Sequence, residues 1–562
     1  MGFRCANCGG NILFDVDSQS MKCQHCGTMI PPDQFDVRNT STEERVDGAF
    51  STGESFSETA SVSGTDSGNG SAGTSLSLFT CSSCGAELQG TEDSRVGFCP
   101  YCGGQSLLKT PAGSRDLPER LIPFQVSRDR CRDLFQKHTK KVRYLPKEMR
   151  DASHLQNFTG IYMPYYEYDV EMGASSITGT KVVESTSRYD RINTYRIDAS
   201  VNGQYCGVPY DASRYYDDEI AARVLPFDMK KERPFLPSFL SGFYADASTV
   251  PAQTYYRDAE KTASDDIVAE VAQLVKKQDG INVEKKTSRV EARTTSHHST
   301  LFPLWFLTWR KNNRVVYAVV NGESGKVVSD LPVDMKAFAL GCTGFTAILF
   351  LILELLFQPT PLITSLVSLV VGILMAASIR NSTRQIFEKE THANDKGWTI
   401  KKDPVITEKG SVTKKPDKNV SDFIGKHLTT FLFAAVILVS VFFNTDAIGM
   451  PFVARLIAVG AVLFLANSLW KILGWQRSIS HRQPTAAILL VTAAVILNTA
   501  IVFISPVNDA WYYMGDAVCI LILIIASTIM LQIYNISTTR PLPKLFDRKE
   551  VQLRDIKGKN TG

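Results

Sequence analysis

Two quartets of cysteine constrain this chain more than any other feature in it. Cys5, Cys8, Cys23 and Cys26 are spaced C-x2-C-x14-C-x2-C, and Cys81, Cys84, Cys99 and Cys102 repeat that spacing residue for residue. A C-x-x-C step lets two thiolates from one tight turn reach a tetrahedral ion. A second such turn across a hairpin completes the shell at about 2.3 Å per sulfur. Each pair is followed by glycine, at Gly9, Gly27, Gly85 and Gly103, the residue that accepts positive φ where a turn aims backbone N–H groups at sulfur. The pattern predicts two zinc ribbons, over 1–32 and 78–110, each holding one Zn2+. Large apolar side chains are few in both, so the ion supplies most of the folding energy. Four thiolates leave no open coordination position, which speaks for structural rather than catalytic ions. His25 lies inside Cys23-Gln-His-Cys26, where both flanking cysteines already serve, and reads as an exposed turn residue. The other four of the twelve cysteines, Cys131, Cys206, Cys342 and Cys519, are scattered singly. That usage fits metal binding in a reducing compartment better than a disulfide framework.

Charge narrows the partners. The formal net charge is only +4, and neither ribbon is basic: Arg4 and Lys22 face Asp15 and Asp17 in the first, and Arg95 and Lys109 face Glu87, Glu92 and Asp93 in the second. Nucleic-acid affinity rests on phosphate neutralisation by Lys and Arg, so protein contact is the better expectation. Between the ribbons, 33–77 is rich in Ser, Thr and Gly with scattered acids and reads as a flexible tether. On that reading the ribbons move independently, as a pair of docking modules.

From 117 to 335 the pattern turns to an α+β domain. Ser127 is a candidate N-cap for a helix that places Cys131, Leu134, Phe135 and His138 on one face. A second helix, 265–279, places Ile267, Val268, Val271, Leu274 and Val275 together and ends at Gly280. Strand-like runs surround them at 160–170, 191–201, 301–310 and 314–332. Leu121-Ile-Pro-Phe124 and Val224-Leu-Pro-Phe227 each precede a Pro-containing aromatic strand, with Pro164 and Pro303, which admits a duplicated unit. Tyr162, Tyr165, Tyr166 and Tyr168 read as core plus face rather than a ligand groove. Asn321-Gly-Glu-Ser-Gly-Lys326 lacks the glycine and hydroxyl spacing of a P-loop and reads as a hairpin turn. His297 and His298 read as part of a solvated loop. No catalytic constellation emerges, so the chain is expected not to be an enzyme.

The last 230 or so residues read as membrane. Apolar segments at about 337–357, 361–379, 428–443, 452–473, 485–504 and 515–534 approach the roughly 20 residues needed to cross the hydrocarbon core. Six spans put both ends of the chain on one side. The intervals 380–427, 471–484 and 535–562 hold 11, 3 and 7 Lys plus Arg, whereas the opposite loops hold only Arg455. The positive-inside rule then places the ribbons and the basic tail, 537–562, in the cytoplasm. The start MGFRCANCGG has no apolar stretch behind a basic one and reads as lacking a secretory signal. Glu354 is the candidate intramembrane acid, and Asn467 and Asn498 are candidates for bonds between helices. The expected architecture is therefore multi-domain: two small four-cysteine zinc ribbons, an α+β cytoplasmic domain over 117–335, and a C-terminal all-α six-helix transmembrane bundle over 336–536. The expected location is the cell membrane, multi-pass.

These residues resemble a group of bacterial membrane proteins with transcription-factor-IIB-type zinc ribbons. The resemblance rests on the C-x-x-C-G pairs, Leu121-Ile-Pro-Phe124, Gly160-Ile-Tyr-Met-Pro-Tyr-Tyr166, Leu301-Phe-Pro-Leu-Trp305 and Asn321-Gly-Glu-Ser-Gly-Lys-Val-Val328 with Leu331-Pro332, and covers roughly 1–335. It implies a recruiting platform whose partners are cytoplasmic proteins of phage-shock or flotillin-like type in envelope stress. The leading expectation is thus a non-enzymatic membrane protein whose ribbons recruit partners to the bilayer. A transporter or channel controlled by the cytoplasmic part and a membrane-tethered nucleic-acid binder are the alternatives, and homo-oligomerisation is left open.

Overall fold

The structure, a computed structural model, describes residues 3–36, 77–90, 98–104, 107–110, 118–149, 157–185, 190–283, 288–311, 313–356, 361–399 and 450–542. Most of the expected tether, the expected span at 428–443 and the tail beyond 542 lie outside the described residues.

The first quartet brings its own small sheet, β1 (Ile12–Asp15), β2 (Ser20–Cys23) and β3 (Met29–Ile30). The remaining described strands form one sheet. They are β4 (Ser77–Cys81), β5 (Glu87–Gly90), β6 (Leu107–Thr110), β7 (Arg120–Leu121), β8 (Thr159–Ser185), β9 (Asp190–Asp211), β10 (Arg233–Pro234), β11 (Tyr244–Asp246), β12 (Asn282–Val283), β13 (Arg289–Lys311), β14 (Arg314–Asn321), β15 (Val327–Ser329) and β16 (Arg540–Pro541). Its spine is β8 running antiparallel to β13, with Ile161 opposite Leu304 and Tyr166 opposite Ser299. β9 pairs with the outer edge of β8, and β14 with the outer edge of β13.

Alternation along the spine decides what lies on each face, because successive side chains of a strand point to opposite sides. Phe302, Leu304 and Phe306, with Ile161, Met163, Val319 and Tyr317, pack with the second quartet. Leu301, Trp305 and Leu307, with Tyr162, Ala318 and Val320, pack with the first. The sheet is thus held between the two cysteine modules, one per face. Burial on both faces explains why 301–307 and 315–320 are continuous apolar runs and not alternating ones.

The expected duplication is present in a different form. The order strand, helix, long strand, hairpin partner occurs twice: β7, α1 (Arg128–Lys140), β8, β9, and then β11, α3 (Tyr256–Asp279), β13, β14. The first strand of each unit pairs in parallel with the long strand of the other, Leu121 against Leu301 and Tyr244 against Ile161. The counterpart of Leu121-Ile-Pro-Phe124 is therefore β11. Val224-Leu-Pro-Phe227 instead begins at the last residue of a short helix, α2 (Asp218–Val224). Pro164 and Pro303 occupy matching places. Each sits where its strand changes partner on its outer edge, from β11 to β9 and from β7 to β14. A ring with no N–H loses nothing there, and each proline carbonyl accepts at 2.8 Å, from Ala212 N and Gly322 N.

The turn at Asn321 to Lys326 is a hairpin, as expected, closed by Asn321 N to Lys326 O at 2.9 Å. Other local expectations shift. His297 and His298 are not in a loop. They lie within β13 opposite Tyr168 and Glu167, because the polar, β-branched run around them is paired to β8. Helix α3 starts at Tyr256, well before the expected position, and of the expected apolar face only Val268 is buried, with Leu274 52% exposed.

The C-terminal part is helical: α4 (Met335–Leu356), α5 (Pro361–Thr391), α6 (Met450–Gln476), α7 (Gln483–Ile504) and α8 (Ala510–Ser537). Among the described residues four helices are long and apolar enough to cross a membrane, over Ile363–Thr391, Arg455–Gln476, Gln483–Ile504 and Ala510–Ser537. Of the six expected spans these four stand as candidates; most side chains of α4 and all of 428–443 lie outside the described residues. Glu354 lies outside the described side chains. Ala376, Ala461, Ala487 and Ala526 are buried in the bundle core, where small side chains let helix backbones approach. Leu489, Ile520, Leu521 and Ile524 face outward and exposed.

The sheet and the bundle are stitched together. β16, just past α8, pairs with β14, so residues near the start of the expected basic tail form a sheet strand. Arg540, buried, donates to Asp217 at 2.9 Å and Asp330 at 3.2 Å. Lys389 on α5 reaches Asp330 at 3.2 Å, and Arg314 on β14 pairs with Glu390 at 2.9 Å. Buried charges are tolerated when paired in this way. Burial penalises the ionised carboxyl of Asp330, but Lys389 and Arg540 outweigh that and hold it at about 2. Asn535 closes the junction with two bonds to Val333, at 2.8 and 2.9 Å.

Candidate metal centres

Each quartet is assembled from two turns of one kind. Cys5 N donates to Gly10 O and Gly9 N to Cys5 O, both at 2.8 Å, and the second quartet repeats this at Cys81 with Ala86 and at Cys99 with Gly104. The glycine after each pair lies in the left-handed region, with φ of 71°, 73°, 72° and 67° at Gly9, Gly27, Gly85 and Gly103. A β-carbon at these positions would strain the turn, so the glycines expected from the sequence do the expected work.

In both quartets the four sulfurs lie within 4.8 Å of one another. Cys5 and Cys26 stand 3.7 Å apart, Cys8 and Cys23 3.5 Å, Cys81 and Cys102 3.5 Å, and Cys84 and Cys99 3.7 Å. None of these is a disulfide. A tetrahedron with 2.3 Å arms has edges of about 3.8 Å, so the spacing fits four sulfurs around zinc. Each cluster can hold one metal ion, with no room in the ligand set for a fifth role. Electrostatics agree. Hydrogen bonds from Cys102, Cys84 and Cys99 pull the Cys81 thiol far below its usual range, while hydrogen bonding to Cys102 and Cys81 pushes Cys99 far above. Four thiolates this close repel, and a divalent cation removes that conflict. In the first quartet the Thr28 hydroxyl, 3.0 Å from Cys26 Sγ, helps draw that thiol down to about 6.

The quartets differ in surroundings. Cys81, Cys84, Cys99 and Cys102 are all buried, whereas Cys8 and Cys26 are exposed. His25 is exposed too, as its sequence position suggests. In the matching position of the second quartet stands Tyr101, fully buried, whose hydroxyl donates to Asp246, as does that of Ser213. Tyr317 donates to the Tyr101 carbonyl and Thr308 to that of Pro100. With β5 paired to β11, through Ala245 and Gln89, the second module is part of the sheet. The first is docked without sharing a strand ladder with the large sheet, through contacts such as Ser241 Oγ to Ile12 O at 2.8 Å, Gln19 Nε2 to Phe124 O at 2.6 Å, and Phe14 against Phe239 with ring centroids 5.1 Å apart. Both modules therefore sit on the body, contrary to the expectation of independently moving ribbons. The reason is that their apolar residues, such as Phe14 and Leu88, are needed to cover the sheet.

The sequence reading missed Tyr101, although an aromatic inside C-x-x-C was a visible sign of a buried turn. It also missed Asp516 in α8, at the edge of an expected span. Asp516 accepts from Thr364 Oγ1 at 2.6 Å and Ser365 Oγ at 3.3 Å. Asn498 does bond across helices, to Ser365 O at 3.2 Å, and Asn467 is half-buried.

No family model matches the chain, and no solved structure matches it. The chain is similar to the uncharacterized protein YdjG of Bacillus subtilis (strain 168), at 22% identity over 359 residues, which covers 63% of this chain and 97% of that protein.

Proposed function

We propose that this is a non-enzymatic, multi-pass membrane protein whose cytoplasmic part, stapled by two zinc ions, is a platform that recruits soluble proteins to the bilayer. The observation that carries the reading is the junction of Arg540, Asp330, Lys389 and Asp217. It fixes the sheet to the helix ends, so a protein bound to the sheet is held at the membrane. Lys389 and Arg540, the described ends of two of the Lys- and Arg-rich intervals, meet Asp330 beside the sheet, which supports a cytoplasmic platform. Closed sets of four cysteines suit a structural role. The outer part of the first module, with Cys8, His25 and Met29 exposed, supplies the contact surface. Resemblance to zinc-ribbon membrane proteins supports partners of phage-shock or flotillin-like type.

The test is crosslinking and mass spectrometry on the full chain purified from solubilised membranes, with Cys8→Ser/Cys26→Ser as the variant. Crosslinks from soluble proteins to 3–36 are expected in the wild type and lost in the variant. Identical partner sets in both would sink the recruiting role of this module.

A second reading, a transporter or channel controlled by the cytoplasmic part, draws on the polar cluster of Asp516, Thr364, Ser365 and Asn498 within the bundle, since ionisable groups inside a membrane often mark pathways. Ion flux into proteoliposomes that disappears in Asp516→Asn would favour it over the platform.

A further inference from the structure

Away from the metal centres, two carboxyls meet in the body of the molecule. Asp211 ends β9 opposite Tyr165 of β8, so the two side chains share a face of the sheet. Helix α2 lies on that face, with its Ala221 O 3.5 Å from the Tyr165 hydroxyl. Asp218 is the first residue of α2. The chain leaving α5 arrives at the same place, at Asp395 and Lys396.

The two carboxyls are bonded differently. Asp218 acts as an ionised acceptor: Oδ1 accepts from the Tyr255 hydroxyl and Oδ2 from Lys396 N, both at 3.1 Å. Asp211 is 4% exposed and no donor reaches its Oδ2, yet its carboxyl hydrogen-bonds to that of Asp218. Two ionised carboxyls only accept and cannot make that bond; a protonated one donates it. The surroundings keep the proton on Asp211. Burial first, and then the negative charges of Asp218, Asp395 and Asp217, push it well above the ordinary carboxylate range. Nearby cations are engaged with other acids: Arg540 with Asp217 at 2.9 Å, Lys396 Nζ with Asp258, and His392 with Asp395 at 3.9 Å. Tyr165, Tyr216 and Tyr255 border the pair as neutral phenols, since burial raises all three above their ordinary range.

We propose that Asp211 and Asp218 share one proton that locks the chain leaving α5 to the sheet, and that loss of this proton releases that segment. With the proton in place, Asp211 holds the Asp218 carboxylate where Tyr255 and Lys396 N donate to it. Without it, two like charges in contact repel. Asp218 is only half-buried, so it turns to water and takes the acceptor of Lys396 N with it. What then remains at Lys396 is its partly exposed ion pair with Asp258, a kind of contact that is worth little. The response is local. Asp217 still caps α2 through Glu219 N and Ile220 N, and Lys389 and Glu390 still tie α5 itself to Asp330 and Arg314. A carboxyl raised in the docked state favours docking while protonated, and that advantage is lost as pH rises through its raised value. This goes beyond recruitment and stands whether or not the platform binds proteins.

Hydrogen-exchange mass spectrometry of the full chain in detergent tests this, on peptides covering 393–399, at a series of pH values from mildly acidic to mildly alkaline. Asp211→Asn keeps a donor toward Asp218 and has no proton to lose. The ratio of wild-type to variant exchange at each pH therefore cancels the intrinsic effect of pH on exchange. That ratio is expected to stay level in acid and then to rise about tenfold per pH unit once the pair titrates, the slope of a single proton. Asp218→Asn, at a half-buried position, should flatten the rise as well and guards against misfolding of the first variant. His392→Gln should keep the full slope, which assigns it to the carboxyl pair and not to the histidine. A level ratio at every pH, a rise that survives in Asp218→Asn, or one that vanishes in His392→Gln would overturn the proposal. Millimolar Mg2+ or Ca2+ that restores protection of 393–399 at alkaline pH would also overturn it, in favour of a cation held between the carboxylates.

Discussion

The two cysteine quartets share every spacing and almost nothing of their surroundings. In the first, two of the four cysteines are exposed and the residue inside the second turn, His25, faces water. In the second, all four are buried and the matching residue, Tyr101, is bonded into the body. Spacing between cysteines therefore specifies the coordination shell, while the residues between them specify what the turn is docked against. One module is a removable cover on a face of the sheet; the other is an edge of the sheet itself.

The sharpest way to break that comparison is to remove one ligand pair at a time. A structural zinc site is worth about 10–16 kcal/mol in small domains, as much as the entire stability of a typical domain. In Cys99→Ser/Cys102→Ser that loss falls on strands continuous with β11 and β8, so amide protection of β8, β13 and β14 should collapse. In Cys8→Ser/Cys26→Ser the same strands should stay protected and one zinc per chain should remain. Hydrogen-exchange mass spectrometry and metal analysis on the full chain read both outcomes. Equal loss of protection in the two variants would abolish the distinction drawn here.

Acidity sharpens the comparison next, because burial of thiolates and burial of a carboxyl respond to pH with opposite sign. Acid protonates metal-binding thiolates and releases their ion, so both quartets weaken as pH falls. Glu167 on β8 is 3% exposed, has an unpartnered Oε1, and is pushed up to about 7 by burial and then by the neighbouring Glu232. A carboxyl raised in the folded chain favours folding fully below its unfolded value near 4.5. That advantage is lost as pH rises through 7. Glu167→Gln should therefore stabilise the sheet by about 3 kcal/mol at pH 8 and by nothing measurable at pH 4.5. Denaturation midpoints measured across that range check it, and a pH-independent effect would remove Glu167 from the ionisable core.

How much of this was legible in the sequence follows from how local the information is. The eight cysteines and four glycines were readable because coordination spacing is a local code. The spine strands were readable because 301–307 is a continuous apolar run. That alternate residues of this run lie under different cysteine modules was not readable, since only the pairing of β13 with β8 assigns the faces. Arg540 looked like tail charge because its partners, Asp217 and Asp330, are more than 200 residues away. Asp516 hid at the edge of an apolar window, where a charge usually means the end of a span. Helix α3 was placed too late because its buried residues near the start are Ala259 and Ala263, too small to register as an apolar stripe.

The smallest expected effects test the comparison at a single matched position. Tyr101→Phe removes the hydroxyl that donates to Asp246 and leaves the ring, the backbone carbonyl bonded by Tyr317, and all eight cysteines in place. A buried carboxylate that loses one donor costs about 1–3 kcal/mol, and Ser213 still donates to it, so the lower end applies. His25→Ala at the equivalent place of the first quartet touches only an exposed side chain and should leave stability unchanged. Both variants should keep two zinc ions per chain, but only Tyr101→Phe should release one of them faster to a chelator, because the turn that carries Cys99 and Cys102 then opens more often. If Tyr101→Phe proves as silent as His25→Ala in both stability and zinc release, docking of the second turn is not what separates the quartets, and the pairing of β5 with β11 must carry the difference alone.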